Sequence, residues 1–426
     1  MLNDPRSHGL WERTAPPAPA TGPLEAALRA DVAVIGAGFT GLSAALHLAE
    51  GGARVAVIEA AEIGFGGSGR NVGLVNAGLW VMPDEVPRAL GPVHGERILQ
   101  LLGEAPRLVF DLVERHAIAC EPERAGTLHL AVGATGAREL AERARQWQAR
   151  GAAVELLDAD ETARRTGTQT YAASLLDHRA GTIQPLGYVR GLARAAVAAG
   201  AEVFTGSPVA ACEREGERWR LRAGGGSVLA DWVVVATNAY TSGPFPEIAG
   251  ELVRLPYFNI ATRPLSSNLA RSILPGREGC WDTKDILSSF RLDRENRLVI
   301  GSVGALRGTG AAIHRRWARG TLARLFPQLG DVGFEAEWYG WIGMTADAVP
   351  RFHRFGPRIL SFSGYNGRGI APGTAFGRAL ADHILGRVAE GDMPLPLTPV
   401  RTRGLRAARE AYYEVGSQIA HLSSRV

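Results

Sequence analysis

The stretch Asp31-Val-Ala-Val-Ile-Gly-Ala-Gly-Phe-Thr-Gly41 decides the fold of this chain. Its first half is an apolar run, which predicts a buried strand. Its second half matches G-x-G-x-x-G and opens a helical pattern over residues 40–50. A second strand pattern, residues 54–59, ends in the carboxylate of Glu59. The three segments together predict a βαβ unit that binds a dinucleotide.

The glycines of this motif have separate physical roles. Gly36 permits a tight turn, Gly38 lets the backbone approach a pyrophosphate, and Gly41 allows the helix to pack closely on the strand. We expect the pyrophosphate at the start of the helix, beside Phe39 and Thr40, because free N–H groups and the helix dipole favour negative charge there.

Glu59 sets the preference among dinucleotides. With Ala60 beside it, its carboxylate is placed to accept hydrogen bonds from a ribose diol, and it would repel a 2′-phosphate, which disfavours NADP. No second copy of the fingerprint follows a strand, and Gly224-Gly-Gly226 fits a turn better. The residues therefore leave two alternatives, namely FAD with a direct organic reductant, or NAD alone.

Composition bounds the remaining possibilities. The chain has 426 residues, enough for two to three domains at about 150 residues each. A net charge of +4, from 47 basic and 43 acidic residues, is small and scattered, so we expect no nucleic-acid partner. No apolar run approaches the roughly 18 residues of a membrane span. Cys120, Cys212 and Cys280 are too far apart to predict a disulfide framework or a metal site, and they fit a cytoplasmic protein.

The loop Ile63-Gly-Phe-Gly-Gly-Ser-Gly-Arg-Asn-Val-Gly73 favours FAD over NAD. An NAD-binding unit normally continues into another helix after the second strand. This loop instead resembles the segment that follows the FAD pyrophosphate in the D-amino-acid oxidase/glycine oxidase/sarcosine oxidase superfamily.

That resemblance implies a set of FAD contacts. They comprise the loop residues Gly67, Ser68, Gly69, Arg70, Asn71, Gly73 and Leu74, the adenosine-side residues Val209 and Thr237, and the C-terminal loop residues Gly364, Gly367, Gly369 and Ile370. Backbone N–H groups from Gly367 to Ile370, at the start of a helix, are expected to stabilise negative charge on reduced flavin. Several relatives attach flavin through a cysteine in the segment matching residues 339–345. That segment has none here, so we predict non-covalent FAD.

Substrate-side segments resemble the bacterial L-pipecolate oxidases more narrowly. The matching pieces are residues 66–78, Gly126-Thr-Leu-His129, Trp281-Asp-Thr283 and Gly364-Tyr-Asn-Gly-Arg-Gly369. The resemblance implies oxidation of the C–N bond of a secondary amine or amino acid to an imine, by hydride transfer to flavin N5. L-Pipecolate, an intermediate of lysine catabolism, or a similar cyclic amino acid is the expected substrate. Either O2 or an electron carrier can be the acceptor.

A substrate carboxylate needs a cationic partner, most often an Arg. Arg368, in the flavin-facing loop, and Arg291, on the predicted strand Ser288–Leu292, are the candidates for this catalytic-site role. The predicted walls of the substrate pocket are Tyr257, Trp281, Phe290, Trp341 and Asn366.

The resulting architecture is α/β, with a Rossmann-like FAD-binding domain and a β-rich α+β substrate domain, each built from non-contiguous segments. We assign residues 1–30 to an N-terminal arm, 31–84, 184–248 and 340–400 to the FAD-binding domain, 85–183 and 249–339 to the substrate domain, and 401–426 to a C-terminal helical tail. Three alternatives remain, namely the same chemistry on N-methyl amino acids or γ-glutamyl polyamines, a flavin-binding subunit of an electron-transfer complex, and an NAD-binding module.

Overall fold

The computed structural model describes residues 8–402 and 404–423. The strands are β1 (Ala27–Ile35), β2 (Val55–Ile58), β3 (Leu74–Val75), β4 (Thr127–Ala131), β5 (Val154–Leu157), β6 (Ala173–Asp177), β7 (Gly181–Thr182), β8 (Glu202–Phe204), β9 (Val209–Glu215), β10 (Arg218–Ala223), β11 (Gly226–Val235), β12 (Val253–Thr262), β13 (Gly279–Asp282), β14 (Ser288–Leu292), β15 (Leu298–Val303), β16 (Phe334–Met344), β17 (Arg351–Gly356) and β18 (Ile359–Ser363). The helices are α1 (Leu10–Thr14), α2 (Phe39–Glu50), α3 (Gly67–Arg70), α4 (Glu85–Leu90), α5 (Pro92–Arg115), α6 (Gly133–Gln148), α7 (Ala159–Thr166), α8 (Pro185–Ala198), α9 (Pro246–Glu251), α10 (Ser267–Ser272), α11 (Gly308–Leu325), α12 (Ile370–Ile384) and α13 (Arg406–Ser423).

The first sheet is the predicted nucleotide-binding sheet. Its strand order is β17-β18-β11-β1-β2-β8, with the β9–β10 hairpin extending from β11. Strands β1, β2, β8, β11 and β18 run parallel, so their carboxyl ends lie along one edge. Ligands of open α/β sheets bind at that edge. The Gly-rich turn after β1 and the carboxylate after β2 therefore lie side by side, as the sequence predicts.

Helices α2 and α12 pack unusually closely over this sheet. A Cβ added at Gly377 would lie 2.5 Å from the carbonyl oxygen of Thr40, and one at Gly373 would lie 3.2 Å from the Thr40 hydroxyl. Glycine at both positions lets the two backbones approach. The contact holds the N-terminal ends of both helices next to the carboxyl edge of the sheet.

The second sheet forms the floor of the predicted substrate domain. Its order is β16-β12-β15-β14-β13-β4-β6-β5, and its pairs are antiparallel except β13 with β4. This mixed α/β architecture, with each sheet assembled from separated segments, confirms the predicted fold class. Strand β16 belongs to the second sheet as far as Met344. A division at residues 339/340 would therefore cut through a continuous strand.

The sequence predicts an N-terminal arm over residues 1–30, and the structure shows regular elements within part of it. Residues 10–14 form α1, where Leu10 and Trp11 are fully buried. The Trp11 ring meets Trp338 edge to face at 5.3 Å, and its Nε1–H donates to the carbonyl oxygen of Asn71 at 2.9 Å. Strand β1 begins at Ala27, four residues before the predicted start. Residues 1–7 of the predicted arm lie outside the described residues.

The C-terminal segment forms helix α13, which packs against β12 and α11. Its anchor is a buried pair of imidazoles, because Nδ1 of His421 lies 2.8 Å from Nδ1 of His314. Trp317 stacks on His421, and Phe258 stacks on His314. The tail thus belongs to the substrate-side layer. Residues 403 and 424–426 of the predicted tail lie outside the described residues.

Two further findings concern the described residues only. No helix among them is both long and apolar enough to cross a bilayer. No group of three or more His, Cys, Asp or Glu side chains among residues 8–402 and 404–423 is arranged to hold a metal ion.

The imidazole pair predicts a specific pH dependence of stability. Burial lowers the pKa of His314 to about 4 and that of His421 to about 3. In the unfolded chain both groups protonate near pH 6.5, so the unfolded state gains protons first as the pH falls and stability is lost below pH 6.5. We expect the protein to lose about 2 kcal/mol for each imidazole of this pair between pH 7.5 and 5.

Guanidinium denaturation at the two pH values tests this expectation. The double variant His314→Asn/His421→Asn should show a smaller pH effect than the native protein, whatever its absolute stability. The control His178→Asn changes a half-exposed imidazole on the surface and should keep the native pH effect. An equal pH effect in the double variant and the native protein would contradict this account.

Candidate active site

The Gly-rich turn and the end of β2 form one continuous cradle. Gly36 has a φ of 105°, and its N–H donates to the carbonyl oxygen of Ile58 at 2.9 Å. A Cβ at Gly41 would lie 1.9 Å from the carbonyl oxygen of Gly36, so only glycine allows α2 to start this close to the turn. A Cβ at Gly38 would lie 2.9 Å from the Ser68 hydroxyl, so glycine there lets Ser68 approach and accept the Phe39 N–H at 3.1 Å.

Glu59 completes this cradle on the β2 side. Its Oε2 accepts the Ala37 N–H at 2.7 Å, and its Oε1 accepts the Ala61 N–H at 2.9 Å. Burial raises the pKa of Glu59, while the backbone donors act in the opposite direction. The carboxylate thus joins the two loops that frame the cradle.

Most of the predicted cofactor contacts line a cavity of about 300 Å3 over this cradle. The predicted contacts on its wall are Gly36, Gly38, Phe39, Thr40, Glu59, Ala60, Gly67, Ser68, Asn71, Val209, Thr237, Gly367 and Gly369. Arg70, Leu74 and Ile370 line an adjoining cavity instead, while Gly41, Gly69, Gly73 and Gly364 line neither of the two cavities.

The adjoining cavity, of about 410 Å3, shares a wall with the cradle. Gly67, Asn71, Trp341, Ile342, Asn366, Gly367 and Gly369 line both. The second cavity lies over strands of the second sheet. Its aromatic walls are Trp80, Tyr257, Trp281 and Trp341. The Tyr257 hydroxyl lies 2.7 Å from Ser289 Oγ, which fixes its ring orientation.

Arg368 does not line this larger cavity, contrary to its expected role as the carboxylate partner. Its guanidinium lies between the rings of Trp80 and Trp281, 5.0 Å from each centroid, and donates to the carbonyl oxygen of Ala77. Burial, followed by Arg143, lowers the pKa of Arg368 to about 9. The side chain therefore supports the aromatic wall from behind.

Arg291 and Phe290 also lie away from the cavity. The Arg291 guanidinium is buried under the loop that follows α3, where it donates to the carbonyl oxygens of Ile183 and Leu292. Phe290 points to the opposite face of β14 and packs edge to face on Phe326 in the core. The strand period of two explains the difference from Ser289, whose side chain does line the cavity.

Two buried cations of the described chain line this cavity, namely Arg70, which the sequence predicts as an FAD contact, and Arg143, which sequence reasoning missed. Arg143 Nη2 donates to the carbonyl oxygen of Trp80 at 2.9 Å and lies 3.4 Å from Oε1 of Glu139. Within the described residues its buried Nε has no hydrogen-bond partner. Arg143 occurs in a helix full of surface charges, and only its inward face on α6 distinguishes it from its neighbours.

Lys284 is exposed, as a lone lysine is expected to be, and it lies at the edge of the same cavity beside Asp282 and Asp285. Asp282 is buried and accepts hydrogen bonds from both the N–H and the hydroxyl of Ser288. Burial raises the pKa of Asp282. The cavity thus carries charges of both signs on an otherwise apolar and aromatic surface.

His129 is a neutral polar group on the same wall. Its ring stacks on Trp281 with centroids 3.3 Å apart, and neither ring nitrogen has a hydrogen-bond partner among the described residues. Burial, together with Arg143 and Arg368, holds the pKa of His129 well below its usual range. The ring can donate or accept a hydrogen bond from a bound molecule without carrying charge.

Asn366 and the start of α12 close the boundary between the two cavities. Asn366 Oδ1 accepts the Thr345 N–H at 2.8 Å, and Nδ2 donates to Gly364 O at 2.6 Å. We expect the backbone N–H groups of residues 367–370 to face the flavin. The N–H of Arg368 instead donates to the carbonyl oxygen of Tyr365, so it is not available to a ligand. Gly369, at the helix N-terminus, lines both cavities.

Comparison with known proteins agrees with this geometry. Residues 31–383 match the profile of the family described as DAO, FAD dependent oxidoreductase. The protein belongs to the DAO family. It is therefore an FAD-dependent enzyme, and the alternative of an NAD-binding module is excluded.

Several DAO relatives match almost the whole chain. Gamma-glutamylputrescine oxidoreductase of Escherichia coli is 32% identical over 406 residues, covering 95% of each chain. The probable oxidoreductase OrdL of Haemophilus influenzae is 33% identical over 371 residues, covering 85% of each. The structure of glycine oxidase from Geobacillus kaustophilus has the same fold, with a TM-score of 0.68 and 22% identity over 84% of this chain and 95% of that one. The family match and these relatives together show that this protein is an oxidoreductase acting on amines or amino acids.

The residues of the cradle fit FAD. The α2 N-terminus on the cradle wall favours a pyrophosphate, and the Glu59 carboxylate, which accepts two backbone N–H groups, has further lone pairs for a ribose diol. The larger cavity begins where the cradle ends, on the shared wall of Trp341, Ile342 and Asn366. A DAO-family enzyme needs this continuity, because substrate and cofactor must meet.

Two substitutions test the cradle. Gly41→Ala forces a methyl group against the Gly36 carbonyl, and Glu59→Gln turns an amide N–H toward a backbone donor of Ala37 or Ala61. We expect each to weaken FAD affinity about tenfold or more, which corresponds to about 1.4 kcal/mol. Titration of the apoprotein with FAD, followed by quenching of flavin fluorescence, measures the change.

Gly416→Ala is the matched control for these variants. Gly416 lies in α13, and an added Cβ meets nothing within 4 Å. Its FAD affinity should equal that of the native protein. Native FAD affinity in folded Glu59→Gln would show that the carboxylate has no part in the cradle.

Proposed function

We propose that this enzyme oxidises the C–N bond of an amine that carries a carboxylate group, giving an imine, and that Arg143 holds the carboxylate. The observation that carries the proposal is the buried Arg143 guanidinium on the wall of an aromatic cavity adjoining the FAD cradle. A guanidinium pairs with a carboxylate in two parallel hydrogen bonds, which fixes orientation as well as affinity.

The chain's own residues bind and orient the substrate in this proposal. FAD, when bound, supplies the chemistry by accepting a hydride from the carbon next to the amine nitrogen. The rings of Trp80, Trp281 and Trp341 exclude water from the cavity, and an aliphatic substrate chain packs against them. Arg143 forms an ion pair with the substrate carboxylate and so holds it at one side of the cavity. No side chain has to act as a general base, provided the amine enters neutral.

We propose that FAD is held without a covalent bond to the protein. Support comes from the three cysteines, none of which lines either cavity. Cys280 is buried in β13, Cys212 lies on β9, and Cys120 lines a separate cavity with Arg291. Denaturation in acid should release all the flavin into the filtrate.

Two substrate classes fit a carboxylate-bearing amine, and we favour a γ-glutamyl amine. The cavity pairs Arg143 with Glu139 and places Lys284 beside Asp282, so it matches a distal group that carries both an ammonium and a carboxylate. A linear diamine arm would lie along the aromatic walls. Similarity to the E. coli gamma-glutamylputrescine oxidoreductase over 95% of both chains supports this choice.

A cyclic amino acid such as L-pipecolate is the second candidate. Its support is the resemblance of the segments Gly126-Thr-Leu-His129 and Trp281-Asp-Thr283, both of which contribute to the cavity wall. The carboxylate of L-pipecolate would pair with Arg143. The neighbouring acidic side chains, Glu139 and Asp282, would then have no partner in the substrate. N-methyl amino acids would make the same contacts.

Anaerobic titration of the holoenzyme separates the candidates. Bleaching of the flavin absorbance by γ-glutamylputrescine at lower concentration than by L-pipecolate is the expected result. Bleaching by L-pipecolate or an N-methyl amino acid alone would overturn the substrate choice but keep the chemistry. A flavin that no carboxylate-bearing amine reduces, while simple amines do, would overturn the proposal itself.

Substitution of Arg143 tests its assigned role. Removing a charged hydrogen-bond partner costs about 1.5–3 kcal/mol, so we expect Arg143→Gln to lower kcat/KM about 10- to 100-fold, mainly through KM. Arg143→Lys should retain part of the affinity, because the charge remains without the bidentate fork. Steady-state kinetics with a carboxylate-bearing and a carboxylate-free amine measure the effect.

Arg138→Gln is the control on the same helix. Arg138 is an exposed residue of α6, and its side chain donates to the Thr135 hydroxyl one turn earlier. It should leave kinetics unchanged. A loss in Arg143→Gln that is equal for both amines would show that Arg143 shapes the cavity rather than holding a carboxylate.

A further inference from the structure

Helix α13 lies beyond residues 31–383, which match the DAO family, and neither the FAD cradle nor the proposed carboxylate site uses it. Its inward face carries two carboxylates, Glu410 and Glu414, one turn apart. Residues four apart on a helix lie on the same side. Both carboxylates are mostly buried, although the helix itself is at the surface.

Each carboxylate binds one arginine of the substrate-side layer through two hydrogen bonds, and Glu410 also accepts Arg406 Nε of its own helix at 2.8 Å. Glu410 accepts Arg254 Nε at 3.0 Å and Nη2 at 3.1 Å. Glu414 accepts Arg307 Nε at 2.9 Å and Nη2 at 2.5 Å. Bidentate geometry fixes the plane of a guanidinium, which a single contact does not.

Both arginines lie against the same aromatic ring. The Arg254 guanidinium carbon is 5.3 Å from the centroid of Trp341, and that of Arg307 is 5.6 Å from it. Tyr339 meets the ring edge to face at 6.0 Å. The Trp341 backbone N–H donates to the Tyr240 hydroxyl at 2.9 Å, so backbone and ring are both held.

Trp341 forms part of the wall shared by the FAD cradle and the larger cavity. A rotation of its indole would change the width of both. Cation–π contacts orient a ring when the cation itself is held in place. Here the carboxylates that hold the cations come from α13.

We propose that α13 is a positioning element of the active site, in which Glu410 and Glu414 hold Arg254 and Arg307 on Trp341 and so fix the wall between cofactor and amine. The substrate part of this inference rests on the proposed function. None of the four charged residues touches the reacting atoms in this scheme. They act through Trp341, and the helix is an extension of the binding site.

Helix docking alone does not require this arrangement. The His421 end of α13 is already anchored in the cluster with His314 and Trp317. The two arginines are 39% and 54% exposed, and ion pairs with an exposed partner contribute little to stability on their own. Two bidentate pairs that converge on one cavity-lining ring are therefore better explained by control of that ring.

The first test removes the two carboxylates with Glu410→Gln/Glu414→Gln in the holoenzyme. We expect KM for the amine to rise about fivefold, as loss of cation–π orientation predicts, with kcat changed less than twofold. The visible circular dichroism of bound flavin should change as well. Glu215→Gln is the matched control, because Glu215 forms a bidentate pair with Arg220 on the distant β9–β10 hairpin.

The second test exchanges the charges with Arg307→Glu/Glu414→Arg. The exchanged pair can form an ion pair and dock the helix, but it places a carboxylate where the cation faced Trp341. We expect the melting temperature to return toward the native value while KM and the flavin dichroism stay altered. A KM and a dichroism that return together with the melting temperature would overturn the proposal.

The two readouts separate this inference from the proposed function. If carboxylate-bearing amines fail to reduce the native enzyme, the proposed function is wrong, yet the flavin dichroism still reports on Trp341. Native dichroism in a folded Glu410→Gln/Glu414→Gln variant would overturn the positioning role, whichever amine proves to be the substrate.

Discussion

The rest of the structure depends on the contact between the start of α2 and the turn after β1. There is no room for a side chain between Gly41 and the Gly36 carbonyl, where an added Cβ would lie only 1.9 Å away. This closeness points the α2 N-terminus at the carboxyl edge of the sheet, and Gly377 lets α12 join it. Two helix N-termini and Glu59 then surround one cradle, and the second sheet only has to bring a substrate to its open side.

Charge in the substrate layer is distributed by burial rather than by sequence neighbourhood. Arg368 supports the aromatic wall from behind, whereas Arg143 reaches the cavity surface through the same wall. Burial lowers the pKa of Arg368, and the charge of Arg143 lowers it further, so two buried guanidiniums with few counter-charges are costly here. A bound carboxylate would relieve this cost, which is consistent with the role proposed for Arg143.

Periodicity and turn chemistry predicted the architecture well where the elements are long and local. Helix α2 was expected over residues 40–50 and spans Phe39–Glu50, and β14 has the predicted bounds Ser288–Leu292. The proline-rich composition of the N-terminal segment predicts an extended arm and gives no signal for the short helix α1. Trp11 of that helix is buried by residues far away in sequence. On β14 the sequence predicts Phe290 as a pocket residue, but its neighbour Ser289 lines the cavity and Phe290 faces the core. Which face of the strand meets the cavity is decided only by its pairing with β13 and β15.

The sequence by itself determined the βαβ unit, the preference for a dinucleotide without a 2′-phosphate, and the resemblance that led to FAD, because these depend on glycines and a carboxylate at fixed local spacing. Tertiary structure alone decided which cations reach the cavity and what the C-terminal helix contacts. The chain carries many arginines with similar local surroundings. Whether one of them lines a cavity, as Arg143 does, or stacks behind a wall, as Arg368 does, depends on residues far away in sequence, and their positions are set only when the two sheets pack together.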